Sequence, residues 1–353
     1  MQRKRLLLAA GLLLVSSLFL FRDFLFGNAV LLYQDIGSDS LNSYYPDFVH
    51  LSNYLRTEGY PSWSFAVGMG QDLAYAAGFL VWQPVTWLPK EWIAFALIYQ
   101  QVVKVVMAGC LFVGFLQLRR VSFPAQLLGG LLLSFSAYIC MGACWYPLSD
   151  EVVGFAAILL GIEVALQTGR YLLFTIAVAL IGLINPFFLY LGAFFLVAYV
   201  ALRSASAGRL HLRRLLTLAA LALLGVFLAA FITLPHLGII LASPRGSGLA
   251  AASSILRARP LAAFESASHY ATAILRFFAN DMAGAGDDFR GWQNYLEAPI
   301  YYCGLISLLL FPQFFRLGSR RNRFIAAAFL IGILIPIAFP WFRYLFWLFQ
   351  GDY

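Results

Sequence analysis

The chain opens with Arg3-Lys4-Arg5 and then Leu6-Leu7-Leu8-Ala9-Ala10-Gly11-Leu12-Leu13-Leu14-Val15-Ser16-Ser17-Leu18-Phe19-Leu20-Phe21. Three cations ahead of a long apolar run fit either a cleaved secretion signal or a retained membrane helix. The run is long for a signal, and no clear small-x-small cleavage site follows it, so 6–26 reads as a retained first span. A helix needs about 20 mostly apolar residues to cross a bilayer. On that measure the chain offers eight further candidates: 92–117, 124–144, 152–168, 171–185, 187–202, 215–235, 299–315 and 324–342. The expected fold is therefore an all-α polytopic membrane protein of about nine spans.

Composition supports this. Apolar residues make up 62% of the 353 and charged residues only 11%, against about 45–50% and about 25% in soluble domains. No soluble fold can hide that much apolar surface. The 33 Phe, 18 Tyr and 8 Trp suffice for aromatic belts at two interfaces. The net charge of +8 comes from short basic clusters between apolar runs, which suits an anionic membrane surface and not nucleic acid.

Charge also sets an expected orientation. With nine spans, Arg3, Lys4, Arg5, Arg119, Arg120, Arg170, Arg203, Arg209, Arg213, Arg214, Arg316, Arg320, Arg321 and Arg323 fall on one side, with no acidic residue in their loops. Lys/Arg excess marks the cytoplasmic face. The N-terminus is therefore expected inside and the acidic loops outside, in a bacterial cytoplasmic membrane. Two large external loops result, 27–91 and 236–298. Asn53–Arg56 and Leu249–Phe278 read as interfacial amphipathic helices. The segment 171–202 holds two short crossings, broken at Asn185-Pro186, and reads equally as two spans or a re-entrant hairpin.

The four cysteines lack metal-ligand spacing and read as buried thiols. His236 and His269 read as isolated external residues. Asp35 and Asp39 stand four apart in Tyr33–Pro46, where the first span meets the outer interface. Either aspartate alone reads as a helix cap or a loop acid. Together, beside Tyr44 and Tyr45, they suit a divalent-cation site or a general base toward a hydroxyl, and the residues leave both open. Trp63 can stack on a sugar, while Trp87 and Trp92 read as interfacial anchors. Lys104 lies well inside a span, where an ionisable group is a functional candidate. It can pair with an acid or face a lipid phosphate. Arg343, at a span end, reads as an interfacial cation or a phosphate ligand, and Arg245, Arg276 and Arg290 are further external cations.

The order Asp35-x-Gly37-x-Asp39, Tyr44-Tyr45-Pro46, Gly59-x-Pro61-x-Trp63-Ser64-Phe65 and Gly68-x-Gly70 resembles the first external loop of the YfhO-type bacterial membrane proteins. Leu159–Glu163, Gly169-Arg170-Tyr171, Asn185-Pro186-Phe187-Phe188 and Ala298-Pro299-Ile300-Tyr301-Tyr302-Cys303-Gly304 extend the likeness over most of the chain. The resemblance implies one GT-C-like membrane domain over 1–353, the N-terminal portion of a longer protein. It also implies an inverting glycosyltransferase, taking a sugar from a polyprenyl-phosphate donor to a polymer or lipid acceptor of the cell envelope. The catalytic aspartate of that loop carries over to Asp35 and Asp39 jointly. Tyr44, Tyr45, Trp63, Lys104, Arg276 and Arg343 are the expected substrate contacts, and a divalent cation is a candidate cofactor. A transporter of lipid or polysaccharide is the alternative. It is disfavoured by the few polar residues in the spans and the absence of a visible repeat.

Overall fold

The computed structural model describes residues 2–33, 39–60, 63–73, 78–142, 145–206, 212–242 and 260–346. The described chain is almost entirely helical. Among the described residues, five helices are long and apolar enough to cross a membrane: Lys90–Leu118, Phe123–Met141, Pro147–Thr168, Pro186–Ser204 and Arg320–Ala338. Leu172–Ile184 and Leu305–Leu317 are apolar but shorter. The protein is thus a multi-pass membrane protein.

The chain packs as two compact units. Met1–Pro186 with Ala220–Ile232 forms the first, and Phe187–Ala219 with Thr233–Tyr353 the second. In the first unit, α1 (Gln2–Leu20) and the short α2 (Arg22–Leu25) run beside α4 (Lys90–Leu118), and α3 (Tyr45–Thr57) lies between them in sequence. Next come α5 (Phe123–Ser134), α6 (Ala137–Met141), α7 (Pro147–Thr168) and α8 (Leu172–Ile184). The second unit holds most of α9 (Pro186–Ser206), α12 (Ala267–Phe278), α13 (Leu305–Leu317), α14 (Arg320–Ala338) and α15 (Pro340–Phe346). Between α9 and α12, α10 (Leu212–Leu228) and α11 (Ala230–Ala242) are divided between the two units.

Close contacts between helices depend on small residues. A Cβ on Gly161 of α7 would stand 2.7 Å from the Phe174 Cα of α8. Gly109 of α4 faces Leu13 of α1 and Ser134 of α5, whose Oγ donates to the Val105 carbonyl. At 29 residues, α4 is about 43 Å long and outlasts a hydrocarbon core of about 30 Å. Its first turns, with the end of α1–α2, define what we call the loop end of the unit.

The helix breaks follow local chemistry. Asn185 is non-helical (φ −150°, ψ 88°) and accepts no further turn before Pro186 opens α9. The segment 171–202 is therefore two separate helices. The run expected at 299–315 starts its helix only at Leu305, because Gly304 sits at φ 93°. Pro340 likewise follows the end of α14 and begins α15. The loop after α3 adds one small hairpin, β1 (Trp63–Ser64) antiparallel to β2 (Gln71–Asp72), with Trp63 opposite Asp72. Gly68 and Gly70 turn it at φ +50° and +113°. Of the stretch 249–278 only α12 (Ala267–Phe278) is helical among the described residues, its start fixed by Ser266, whose Oγ accepts the His269 amide. Residues 249–259 lie outside the described set.

Candidate functional site

The first loop does not project from the loop end; it packs back on α4 and α7. Phe48 and Leu51 of α3 are fully buried with Leu80, Val85, Ile93 and Leu97. Two short 3-10 turns, Gly78–Trp82 and Pro84–Trp87, carry the chain down the side of α4. Gln83 thereby reaches Lys104, fourteen residues or about 21 Å along α4.

A buried polar cluster results. Lys104 Nζ donates to Asp150 Oδ2 at 3.0 Å, Gln83 Oε1 at 2.8 Å and the Tyr146 carbonyl at 3.1 Å. An ammonium has three donors, so all are used. Gln83 Nε2 donates to the same Asp150 oxygen. Gln100 Nε2 donates to Gln83 Oε1 at 2.8 Å, while Gln100 Oε1 accepts the Val85 amide at 3.1 Å. Burying a charge this way requires that every polar partner be satisfied, which this network achieves. Next door, Glu151 accepts from Tyr138 Oη at 2.8 Å and Asn185 Nδ2 at 2.5 Å. The break in the α8–α9 segment is thus tied to α7 by a carboxylate.

Above this floor sits Asp39. It is exposed, and its Oδ2 accepts from Trp145 Nε1 at 2.8 Å. A π-turn, Ser40–Tyr44, leads from it into α3. Ser40 Oγ accepts the Tyr33 amide and donates to the Tyr33 carbonyl. Tyr146 carries the other side: its Oη donates to the Leu31 carbonyl at 2.6 Å, and the Tyr44 and Phe48 rings meet it edge-on. Tyr44 and Tyr45 are half-buried against this core. Asp35 lies outside the described residues.

Along the π-turn and α3, Ser43, Asp47, His50 and Tyr54 follow one another at helical spacing. Ser43 Oγ lies 3.5 Å from Asp47, His50 Nε2 lies 3.1 Å from Ser64 Oγ, and Tyr54 Oη donates to the Trp63 carbonyl at 3.0 Å. Burial pushes the Asp47 carboxyl above its ordinary range, against the pull of the Ser43 bond and the nearby His50. The Trp63 ring is 54% exposed and meets Phe65 edge-on.

The second unit has its own polar cluster. Arg343 Nη2 donates to Glu265 Oε1 at 2.5 Å, Nη1 lies 3.4 Å from His269 Nε2, and the guanidinium lies over the Trp292 ring. His269 is 2% exposed and packs edge-on to Trp292 at 4.6 Å. It is not the isolated residue its sequence position suggests. Burial depresses its pKa, the Arg343 charge adds to this, and Glu265 opposes it. Arg276 is fully buried, donates to the carbonyls of Tyr295 (2.7 Å) and Ala298 (3.0 Å), and lies over the Phe289 and Tyr295 rings. Its guanidinium holds the 289–299 loop.

The expected site residues therefore fall in two places. Asp39, Tyr44, Tyr45, Trp63 and Lys104 belong to the first unit, and Arg276 and Arg343 to the second; Arg245 is outside the described residues. Sequence reasoning missed Gln83, Trp145, Tyr146 and Asp150, which complete the setting of Lys104 and Asp39. A polar residue on a short loop segment has no periodicity that links it to a helix 20 residues away. Among the described residues no group of three His, Cys, Asp or Glu side chains can hold a metal. Asp39's described partner is the Trp145 indole N–H, a donor, and Asp35, the other half of the candidate cation pair, lies outside the described residues. Cys303 is exposed, contrary to the expectation of four buried thiols.

Helices of this length and apolarity, packed under a loop that folds back on them, define a polytopic α-helical membrane protein. Residues 7–352 match the family model described as bacterial membrane protein YfhO. The chain belongs to that family. No curated protein and no solved structure matches it.

Proposed function

We propose that the chain is a membrane glycosyltransferase of GT-C type. It moves a sugar from a polyprenyl-phosphate donor to a hydroxyl of a cell-envelope polymer or lipid on the outer face of the cytoplasmic membrane, its N-terminus being cytoplasmic. The observation that carries this reading is the Asp39–Trp145 contact. It holds an exposed carboxylate above the buried Lys104 cluster, in the loop that follows the first span, where this reading puts the phosphate of a lipid-linked sugar.

In this reading Asp39 or Asp35 takes the proton of the acceptor hydroxyl. The acceptor oxygen bonds to the anomeric carbon with inversion, and the carbon–oxygen bond to phosphate breaks, leaving its electron pair on the polyprenyl phosphate. Trp145 orients Asp39, Tyr44 and Tyr45 wall the approach, and Trp63 offers a ring face to a sugar. The donors of Lys104 and the main donors of Arg276 are engaged within the protein, and Arg343 is paired with Glu265. The reading rests on the first loop and not on these cations as phosphate ligands.

Reconstituting the chain in vesicles with labelled polyprenyl-phosphate sugar and an envelope extract tests it. A new glycosidic product is expected. Movement of the labelled lipid across the bilayer with no new product would favour a transporter instead.

A further inference from the structure

An open apolar groove of about 470 Å³ lies at the loop end of the first unit. One wall is Phe24, Leu25, Phe26 and Gly27, where α2 ends. The other is Trp92, Phe95, Ala96 and Tyr99, which recur at helical spacing on one face of α4, with Leu88 above them. Tyr99 Oη donates to the Leu25 carbonyl at 3.1 Å, tying the two walls together. Phe26, Trp92, Phe95 and Tyr99 are each more than half exposed. The groove lies beside the end of α1–α2 and on the first turns of α4, a helix longer than a hydrocarbon core is thick, and this puts it within reach of the lipid headgroups of one leaflet.

Its rim carries a fixed cation. Arg56 Nη2 donates to the Trp87 carbonyl at 2.9 Å, one residue before Leu88, and Ser52 Oγ holds the Leu88 carbonyl. A guanidinium has five N–H donors. One is used here, and among the described residues no carboxylate pairs with Arg56, which is exposed. Lys90 and Arg22 stand at the same end, with Asp23 and Glu91 beside them, so Arg56 is the cation whose position is fixed and whose donors remain. A planar guanidinium with adjacent free N–H groups is suited to a bidentate contact with phosphate.

We propose that this groove binds an anionic phospholipid of the surrounding leaflet, with one acyl chain against Trp92, Phe95 and Tyr99 and the phosphate on Arg56. The proposal is independent of the glycosyltransferase reading. Seventeen residues of helical chain separate Asp39 from Arg56, about 25 Å. A phosphate held on Arg56 is too far from Asp39 to belong to a sugar donor reacting there. The bound lipid instead clamps the C-terminal end of α3 and the Trp87–Leu88 turn to the start of α4.

Native mass spectrometry of the full chain, released from detergent with defined lipid, tests this. Phosphatidylglycerol is expected to stay bound in the wild type. Arg56→Gln should weaken it about tenfold, the loss of a charge-assisted contact. Ala96→Trp, which fills the groove, should also weaken it, while Arg170→Gln, on another loop, should not. A thermal melt of each variant separates lost binding from lost folding, and Phe95→Ala, which opens the groove without crowding it, serves if Ala96→Trp unfolds. Wild-type retention by Arg56→Gln, equal loss with Arg170→Gln, or no retained phosphatidylglycerol would overturn the proposal. So would displacement by equimolar undecaprenyl phosphate, which would make the groove a carrier-lipid site.

Discussion

Lys104 and Asp150 meet at 3.0 Å between α4 and α7, both almost fully buried, with Gln83 bonded to each of them. A buried ion pair costs much of its own attraction in lost hydration, but removing one partner strands the other charge. Lys104→Ala or Asp150→Ala should therefore destabilise the protein by about 3–5 kcal/mol. The double variant Lys104→Met/Asp150→Leu should recover most of that loss. Thermal denaturation in detergent measures both, and a double variant no more stable than the single variants would show that the pair is worth more than its hydration cost.

Gly161→Ala should push α7 from α8, because the new methyl group meets the Phe174 backbone at 2.7 Å and backbone cannot rotate away. Overpacking of this kind costs about 1–3 kcal/mol. Gly192→Ala, whose new methyl group would stand 4.0 Å from Phe188 Cε1, should cost little, and a comparison of their melting midpoints checks the difference.

Asp47 is a carboxyl made less acidic by burial. Its folded pKa lies above the unfolded value near 3.8, so its contribution to stability is full below that value and is lost as pH rises through the folded pKa. Asp47→Asn does not titrate. It should melt higher than wild type at pH 7, with the gap closing as pH falls through the folded pKa towards about 3.8. An Asn variant less stable at pH 7 would mean that the carboxylate has a partner worth more than its hydration.

His269 has the opposite linkage. Its folded pKa lies below the ordinary 6.5, so its stabilisation is present above 6.5 and is lost as pH falls through the folded value. The melting midpoint should decline in mild acid, and His269→Gln should flatten that decline.

The helices were legible because lipid imposes length and apolarity on every crossing. Even their breaks, at Asn185-Pro186 and before Pro340, follow from proline chemistry. Folding of the first loop onto the bundle was less legible. Phe48, Leu51, Leu80 and Val85 are ordinary apolar residues in a polar loop, and nothing in their spacing says that α4 and α7 receive them. Lys104 was visible as an anomaly, whereas its partners Gln83 and Asp150 become evident only when 21 and 46 residues of separation collapse to 3 Å. In the second unit Arg276 looked like an exposed cation, but it is buried because three backbone carbonyls and two rings replace its water.

The central claim is that a carboxylate of the first loop transfers sugar. The most direct measurement is mass analysis of envelope glycans from a deletion strain complemented with wild type, Asp35→Asn, Asp39→Asn or both, at matched protein abundance. The account predicts that deletion removes a sugar modification, that wild type restores it, and that at least one single variant and the double variant do not. Wild-type glycan levels in the double variant would contradict it.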